Sequence, residues 1–468
     1  LKDLLADKKR VHFIGVAGIG MSGLAKALTA FGFSVSGSDI KEGRTLQELR
    51  QRGIVVFVGH ASDIIRTQKP DLVVYSSAIS KSNPEYVEAT TQGILMVHRA
   101  ELLAYFMNQS KSIAILGMHG KTTTSSMVSH LLTCMEFHPT CFVGGEMINF
   151  CDNVLLGERT WIVAEVDESD GTHLLFSPSH AILTNLEEEH LDHYTGLEDI
   201  KEKFRGFLDN LKPDSVVVYS EDCPNLREVV SHAKGRKISY GFSETAEFSA
   251  SEINLSGLSS SYTLLYHGKK VGGVRLNIPG LHNILNSLGT IALLRSMDLP
   301  LEPILNHLPE FRGAKRRLEL KWDQPGLSVV DDYAHHPTEV QASLSALKAS
   351  GRKLTCVFQP HRYSRARSLA GTFGPSFAQA DRLILTEIYG AGETNPTGID
   401  SGVIYDAVCG TGYPHILRMP KEEVIDYLLN HLDPNEIVAF LGAGDITEVA
   451  DCFVERLKSK VTVLQKVG

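Results

Sequence analysis

This chain has no apolar run near the roughly 20 residues that cross a bilayer, and its first residues lack the charged-then-apolar pattern of a secretion signal. The expectation is a protein of the cytoplasm that engages no membrane. The sequence opens on Leu1 rather than methionine, so neither end is taken as natural. Cysteine is sparse: seven residues (134, 141, 151, 223, 356, 409 and 452), an odd number, never in a C-x-x-C pair. That argues against a disulfide framework or a zinc knuckle and leaves buried or idle thiols. Charge of one sign is also missing. The net charge of -9 is spread along the chain, so no basic stripe offers itself to nucleic acid, and phosphate ligands must be met by local arginines and lysines. Neither an internal repeat nor a low-complexity linker interrupts the 468 residues, which are too many for one core and imply about three domains.

What is there is alternation. RVHFIG, SVSGSD and DLVVYSS read as strands, MSGLAKALTAFG and PEYVEATTQG as helices, the pattern of a parallel sheet covered by helices. A second alternating unit begins at Ser112 and takes in WIVAEVD, HAILTNL and a helix over Ile200 to Leu211. Between Phe248 and Ile278 short strands alternate around a turn at His267 to Lys270, an antiparallel excursion followed by a helix from His282 to Met297. A third unit opens near Phe311 with LSVVDD, EVQASLSALKAS, KLTCVF, RLILTEI and EIVAFLGAG. The expected fold is therefore α/β in three domains, 1–105, 106–310 and 311–468: a Rossmann-like parallel sheet, a central mixed sheet of the P-loop ATPase type, and a second Rossmann-like sheet.

Two glycine loops carry the strongest chemistry. In KSIAILGMHGKTTT a strand runs into a turn that opens a helix, the arrangement that aims backbone amides at a nucleotide triphosphate. Gly117 and Gly120 let the backbone approach, Lys121 adds a compact charge near the terminal phosphates, and Thr122 offers its hydroxyl to magnesium. The spacing is short, because G-x-x-x-x-G-K-[ST] would need glycine where Ile115 stands. The other loop, GVAGIGMSG, holds Gly18-x-Gly20-x-x-Gly23 after a strand, with Asp39 ending the next strand. This pattern suits a diphosphate and a ribose hydroxyl. Taken alone it suggests NAD, a UDP-sugar fits the same physics, and a tight turn with no ligand is the lesser alternative.

Magnesium wants hard oxygens, and Glu165 in AEVDESD ends a strand at the ligand-facing edge of the sheet. Asp167 and Asp170 are neighbours, but alternation keeps them from all facing one ion. Asn185 and His190 in TNLEEEHLDHY reach the same edge, although imidazole is a poor ligand for magnesium, and Glu187 to Glu189 suit a solvated helix start. HNILNS puts His282, Asn283 and Asn286 on one helical side, suited to a base edge or to buried capping. RGAKRRLE gathers Arg312, Lys315, Arg316 and Arg317, fit for a phosphoryl clamp or a solvated patch. In the last unit, VVDDYAHHPTE and QPHRYSRAR place Tyr333 and His335 with Arg362 and Arg365, which could grip the carboxylate of an amino acid or form a salt-bridge network.

With these segments in order, the chain resembles the Mur ligase family over essentially its whole length. HFIGVAGIGMSGLA, YSSAI, HRAELL, GMHGKTTT, AEVDESD, NLEEEHLDHY, GLHNILNSLG, FRGAKRRLE, DDYAHHPTE, FQPHRYSR and GAGD carry the resemblance. It implies an ATP- and Mg2+-dependent ligase of peptidoglycan synthesis that joins L-alanine to UDP-N-acetylmuramate. A sibling that attaches a tripeptide to the same sugar is the alternative, followed by an NAD-linked oxidoreductase and a non-catalytic ATP switch. The UDP-sugar would lie on Gly15, Gly18, Ile19, Gly20, Met21, Ser22, Asp39 and Ser77, and ATP on Gly117, Met118, His119, Gly120, Lys121, Thr122 and Thr123. His282, Asn283 and Asn286 would serve adenine and Asp332 the ribose. The metal would sit on Thr122, Glu165 and His190, with Lys121, Arg316, Arg317 and His335 completing the catalytic set. Tyr333, His335, Arg362 and Arg365 would position L-alanine. The family usually has threonine at position 118, and other members carry a carbamylated lysine near Lys201 or Lys203, which the branch resembled here lacks. A monomer or homodimer is expected.

Overall fold

A computed structural model describes residues 4–189, 193–395 and 398–467. By compactness these fall into two units: residues 1–251, 264–272 and 285–308 in the first, residues 252–263, 273–284 and 309–468 in the second. The strands form three sheets.

The first sheet holds β1 (Arg10–Ile14), β2 (Ser34–Asp39), β3 (Val55–Val58), β4 (Leu72–Tyr75) and β5 (Leu95–His98), all parallel, in the order β3-β2-β1-β4-β5. Alternation sends Val11, Phe13, Leu72 and Val74 to one buried face and Ile14 and Val73 to the other, as a sheet covered on both sides requires. The chain reverses order at β1, and the glycine turn leaves there.

The second sheet comprises β6 (Lys111–Leu116), β7 (Pro139–Met147), β8 (Asp152–Leu155), β9 (Glu158–Glu165), β10 (His180–Leu183), β11 (Val216–Ser220), β12 (Arg236–Gly241), β13 (Phe248–Ser256), β14 (Ser259–Tyr266) and β15 (Lys269–Leu276). Its order is β15-β14-β13-β12-β11-β10-β6-β9-β7-β8. The sheet is mixed, since β7 runs parallel to β9 but antiparallel to β8. β6 lies between β9 and β10, so side chains at the ends of both neighbours flank the loop that leaves it. Ala114, Leu116, Ile162 and Ala164 share one hydrophobic cluster with Val11, Phe13 and Leu24 of the first sheet and its helices.

The third sheet, in the second unit, contains β16 (Glu319–Gln324), β17 (Leu327–Asp332), β18 (Lys353–Phe358), β19 (Arg382–Leu385), β20 (Ile416–Arg418) and β21 (Glu436–Leu441), ordered β16-β17-β21-β18-β19-β20. Only β16 is antiparallel to its neighbour. Leu354, Cys356 and Phe358 face one cluster, Val357, Val438 and Phe440 the other. Among the described residues, no helix is long and apolar enough to cross a membrane.

Candidate active site

In the first unit the glycine turn is fixed from below by β2. The amides of Gly15 and Val16 donate to the Ser38 carbonyl at 2.8 and 2.9 Å, and the Ala17 amide donates to the Asp39 carboxylate at 2.9 Å. Asp39 therefore braces the loop as well as standing at the strand end. Gly18 caps the helix Ile19–Ala30, whose first-turn amides are the ones a diphosphate would meet. Ile19 is half exposed, while Met21 and Ser22 are buried. Ser77 donates to Asp170 at 2.8 Å. Arg99 pairs with Asp167 at 2.7 Å, and burial, which would raise that carboxyl, is outweighed so that it sits at about 2.

The loop after β6 is held more tightly still. Gly117 adopts φ +138°, and a side chain there would strike the Thr184 hydroxyl. Gly120 has φ +83°, and a Cβ would come within 2.7 Å of Asn286 Oδ1. Only glycine serves at either position. The crown of the loop is pinned by the residues that follow β10: the His119 amide donates to Asn185 Oδ1 at 2.8 Å, and its carbonyl accepts from Thr184 and Asn185 at 2.7 and 3.0 Å. Lys121 opens the helix Lys121–Cys134 and donates to the Gly117 carbonyl at 2.5 Å and to Glu168 at 2.9 Å. Burial would depress its pKa, but Glu168 and then Glu165 outweigh it and the net shift is upward. Thr122 donates to both oxygens of Glu165, at 3.2 and 3.0 Å, and the Gly144 amide donates to the same carboxylate at 2.9 Å. A hydroxyl and a carboxylate side by side at the phosphate end of such a loop are the hard oxygens Mg2+ requires, so these residues fit the ion. His190, the third expected ligand, lies outside the described residues.

The helix Leu281–Ser296 carries the three residues expected at adenine. Asn283 is buried, and its side-chain amide donates to the Pro279 carbonyl at 2.7 Å. Burial, with Arg317 adding to it, lowers His282 to about 4 and keeps it neutral. Asn286 stands against Gly120.

In the second unit the ends of β17, β21 and β18 meet. The Gly442 amide donates to the Asp332 carbonyl at 3.0 Å and the Gln359 amide to the Leu441 carbonyl at 2.9 Å. Asp332 accepts from the amides of Leu318 and Ala334 at 2.6 and 2.7 Å; burial nevertheless raises it to about 6. Arg316 donates to the carbonyls of Gly442 and Gly444 at 2.5 and 3.0 Å, so its guanidinium fastens the GAGD turn. Arg317 lies 5.2 Å from the Tyr333 ring centre and 3.7 Å from Glu339. The rings of Tyr333 and His335 are 5.3 Å apart, those of His335 and His361 5.6 Å, and Arg365 reaches His361 Nδ1 at 3.1 Å. Burial lowers His335, and it lowers His361, with His335 and Arg365 contributing, to about 3. Arg362, at φ +67°, stands at the N-cap of the short helix Tyr363–Ser368 that carries Arg365, 4.0 Å from Glu393. Tyr333, His335 and Arg365 thus form one cluster with His361 as its unforeseen middle member, while the Arg362 side chain lies toward Glu393.

Comparisons with known proteins match three successive stretches of the chain. Residues 10–111 match the Mur ligase family, catalytic domain; residues 115–294 the Mur ligase middle domain; residues 316–444 the Mur ligase, glutamate ligase domain. The chain belongs to the Mur ligase family. A UDP-N-acetylmuramate–L-alanine ligase of Geobacter sp. (strain M21) is 40% identical over 96% of this chain and 98% of its own length. One from Carboxydothermus hydrogenoformans is 41% identical over 96% and 97%. The crystal structure of the Thermotoga maritima UDP-N-acetylmuramate–alanine ligase superposes with a TM-score of 0.82 at 30% identity, covering 96% of this chain and 99% of that one.

Two features of this Mur ligase were not visible in its loop motif. Met118 is 6% exposed and joins the hydrophobic cluster under the first two sheets. Its side chain is packing material. Glu168, the partner of Lys121, was overlooked because strand alternation says nothing once the chain leaves β9.

Proposed function

We propose that this Mur ligase joins L-alanine to the lactyl carboxylate of UDP-N-acetylmuramate, converting ATP to ADP and phosphate, in the cytoplasmic synthesis of peptidoglycan precursors. The observation that carries the reading is the 40% identity over 96% of the chain to relatives named for that reaction. In it, residues 1–105 hold the UDP-sugar on the glycine turn, residues 106–310 hold ATP on the loop from Gly117 to Thr123, and residues 311–468 bring the amino acid to Tyr333, His335, Arg362 and Arg365.

A carboxylate is a poor electrophile, so it must be activated. Its oxygen attacks the γ-phosphorus, the bond to ADP breaks, and an acyl phosphate forms, with the Lys121 ammonium suited to absorb the charge of the transferring group. Thr122, Glu165 and His190 would hold Mg2+, which supplies further charge neutralisation when bound. Alanine reacts as the free amine, its ammonium proton and the proton shed after attack both going to solvent, and neutral His335 is suited to orient that amine toward the acyl carbon by accepting a hydrogen bond from it. The tetrahedral oxyanion collapses and phosphate leaves.

ADP release is the test, with ATP, Mg2+ and UDP-N-acetylmuramate present and L-alanine, glycine, L-serine or the L-alanyl-D-glutamyl-diamino-acid tripeptide supplied in turn. L-alanine should give the highest kcat/KM. Turnover with the tripeptide and none with L-alanine would replace the proposal by the recycling reaction.

A further inference from the structure

One strand pair links the glycine turn to the metal-binding carboxylate. β7 lies beside β9, with Phe142 opposite Ala164, and its Gly144 amide holds Glu165. β7 folds back antiparallel onto β8, pairing Phe142 with Val154 and Met147 with Asp152. The same pair rests on the helix Ile19–Ala30. A Cβ at Gly23 would lie 3.3 Å from Asn153 Nδ2, 3.7 Å from Phe142 and 3.8 Å from Val154, so the third glycine of the turn is the seat of this hairpin.

Asn153 is 5% exposed, and every polar group of its amide is used. Oδ1 accepts from Lys26 Nζ at 2.9 Å; Nδ2 donates to the Ile19 carbonyl at 2.6 Å and to Ser22 Oγ at 3.2 Å. Lysine only donates, so it dictates which way the amide faces. Lys26 is itself buried in mid-helix and held by Asp152 Oδ1 at 2.6 Å, whose other oxygen takes Arg52 at 2.5 Å. A buried cation with two fitted acceptors is a costly device that a packing contact would not need.

We propose that Asn153, oriented by Lys26 and Asp152, is a positioning residue for the sugar-nucleotide diphosphate: its amide fixes the Ile19–Ser22 turn and ties it to the strand pair that holds Glu165. The proposal rests on the function argued above, in which that turn binds UDP-N-acetylmuramate.

Asn153→Asp tests it, because the carboxylate keeps the shape and the Lys26 contact but presents an acceptor to the Ile19 carbonyl. Losing that donor should raise the KM for UDP-N-acetylmuramate about ten-fold, the weight of one buried hydrogen bond, with the KM for ATP and kcat unchanged. Calorimetric binding of UDP-N-acetylmuramate without ATP should weaken by the same factor. Lys26→Met, which keeps the buried stem, should shift the same constants and carries the test if the aspartate variant does not fold. Unchanged UDP-sugar constants in both variants, or an equal rise in the KM for ATP, would overturn the inference. Absence of UDP-N-acetylmuramate turnover by the unmodified enzyme would instead overturn the function on which it rests, and the inference with it.

Discussion

Lys121 donates to Glu168 at 2.9 Å on one side and to the Gly117 carbonyl at 2.5 Å on the other, so the cation of the phosphate loop is clamped by the protein itself. In the proposed reaction an entering γ-phosphate would compete with that clamp. Glu168→Gln leaves a buried ammonium beside a neutral amide and should cost about 3 kcal/mol of stability. Nucleotide phosphates then become its best partner. The rise in melting temperature on adding ATP and Mg2+ should be larger in the variant than in the parent; an equal rise would show that Glu168 does not bear on the nucleotide.

Thr122 and Glu165 are the proposed metal pair. Glu165→Gln keeps the size of the side chain and removes its charge, so half-maximal ADP release should need on the order of 10–100-fold more Mg2+. Thr122→Ala should shift the same titration in the same direction. Identical Mg2+ curves would remove these residues from the metal site.

The side chain of Met118 belongs to the core. Met118→Thr should therefore lower stability by about 1–3 kcal/mol through lost packing and a buried hydroxyl, yet leave the KM for ATP unchanged. A stable variant with an altered KM for ATP would place the side chain in the site.

Asp332 should make a pH signature. Its folded value of about 6 lies above the ordinary 3.8, so between those values the folded chain holds more protons than the unfolded one. Its contribution opposes folding increasingly as pH rises from about 4 to about 6 and in full above that. Asp332→Asn does not titrate. The melting temperature of the parent relative to this variant should fall across that window and level off above it; a constant difference would mean that the carboxyl titrates normally.

Local strings were the legible part of this chain. GMHGKTTT, GVAGIGMSG and the strand-ending Glu165 each combine a residue type with a position beside a strand, and all three stand where alternation put them. The strands β7 and β8 were not legible, because PTCFVGGEM carries two glycines and CDNVLLG a lone asparagine, both of which look like loop. Their meaning comes from docking: Asn153 meets Ile19 across 134 residues of sequence. Arg316 was legible as a cation near a boundary, but its commitment to the Gly442 and Gly444 carbonyls depends on a turn more than a hundred residues away. Met118 shows the converse, a motif position whose letter is set by the core beneath it.

The central claim is tested most directly by mass spectrometry of a reaction containing ATP, Mg2+, L-alanine and UDP-N-acetylmuramate labelled with 18O in its lactyl carboxylate. The account predicts a sugar nucleotide heavier by one alanine residue, and an 18O atom carried into the released phosphate by the acyl phosphate. Unchanged UDP-N-acetylmuramate, or ligated product with unlabelled phosphate, would contradict it.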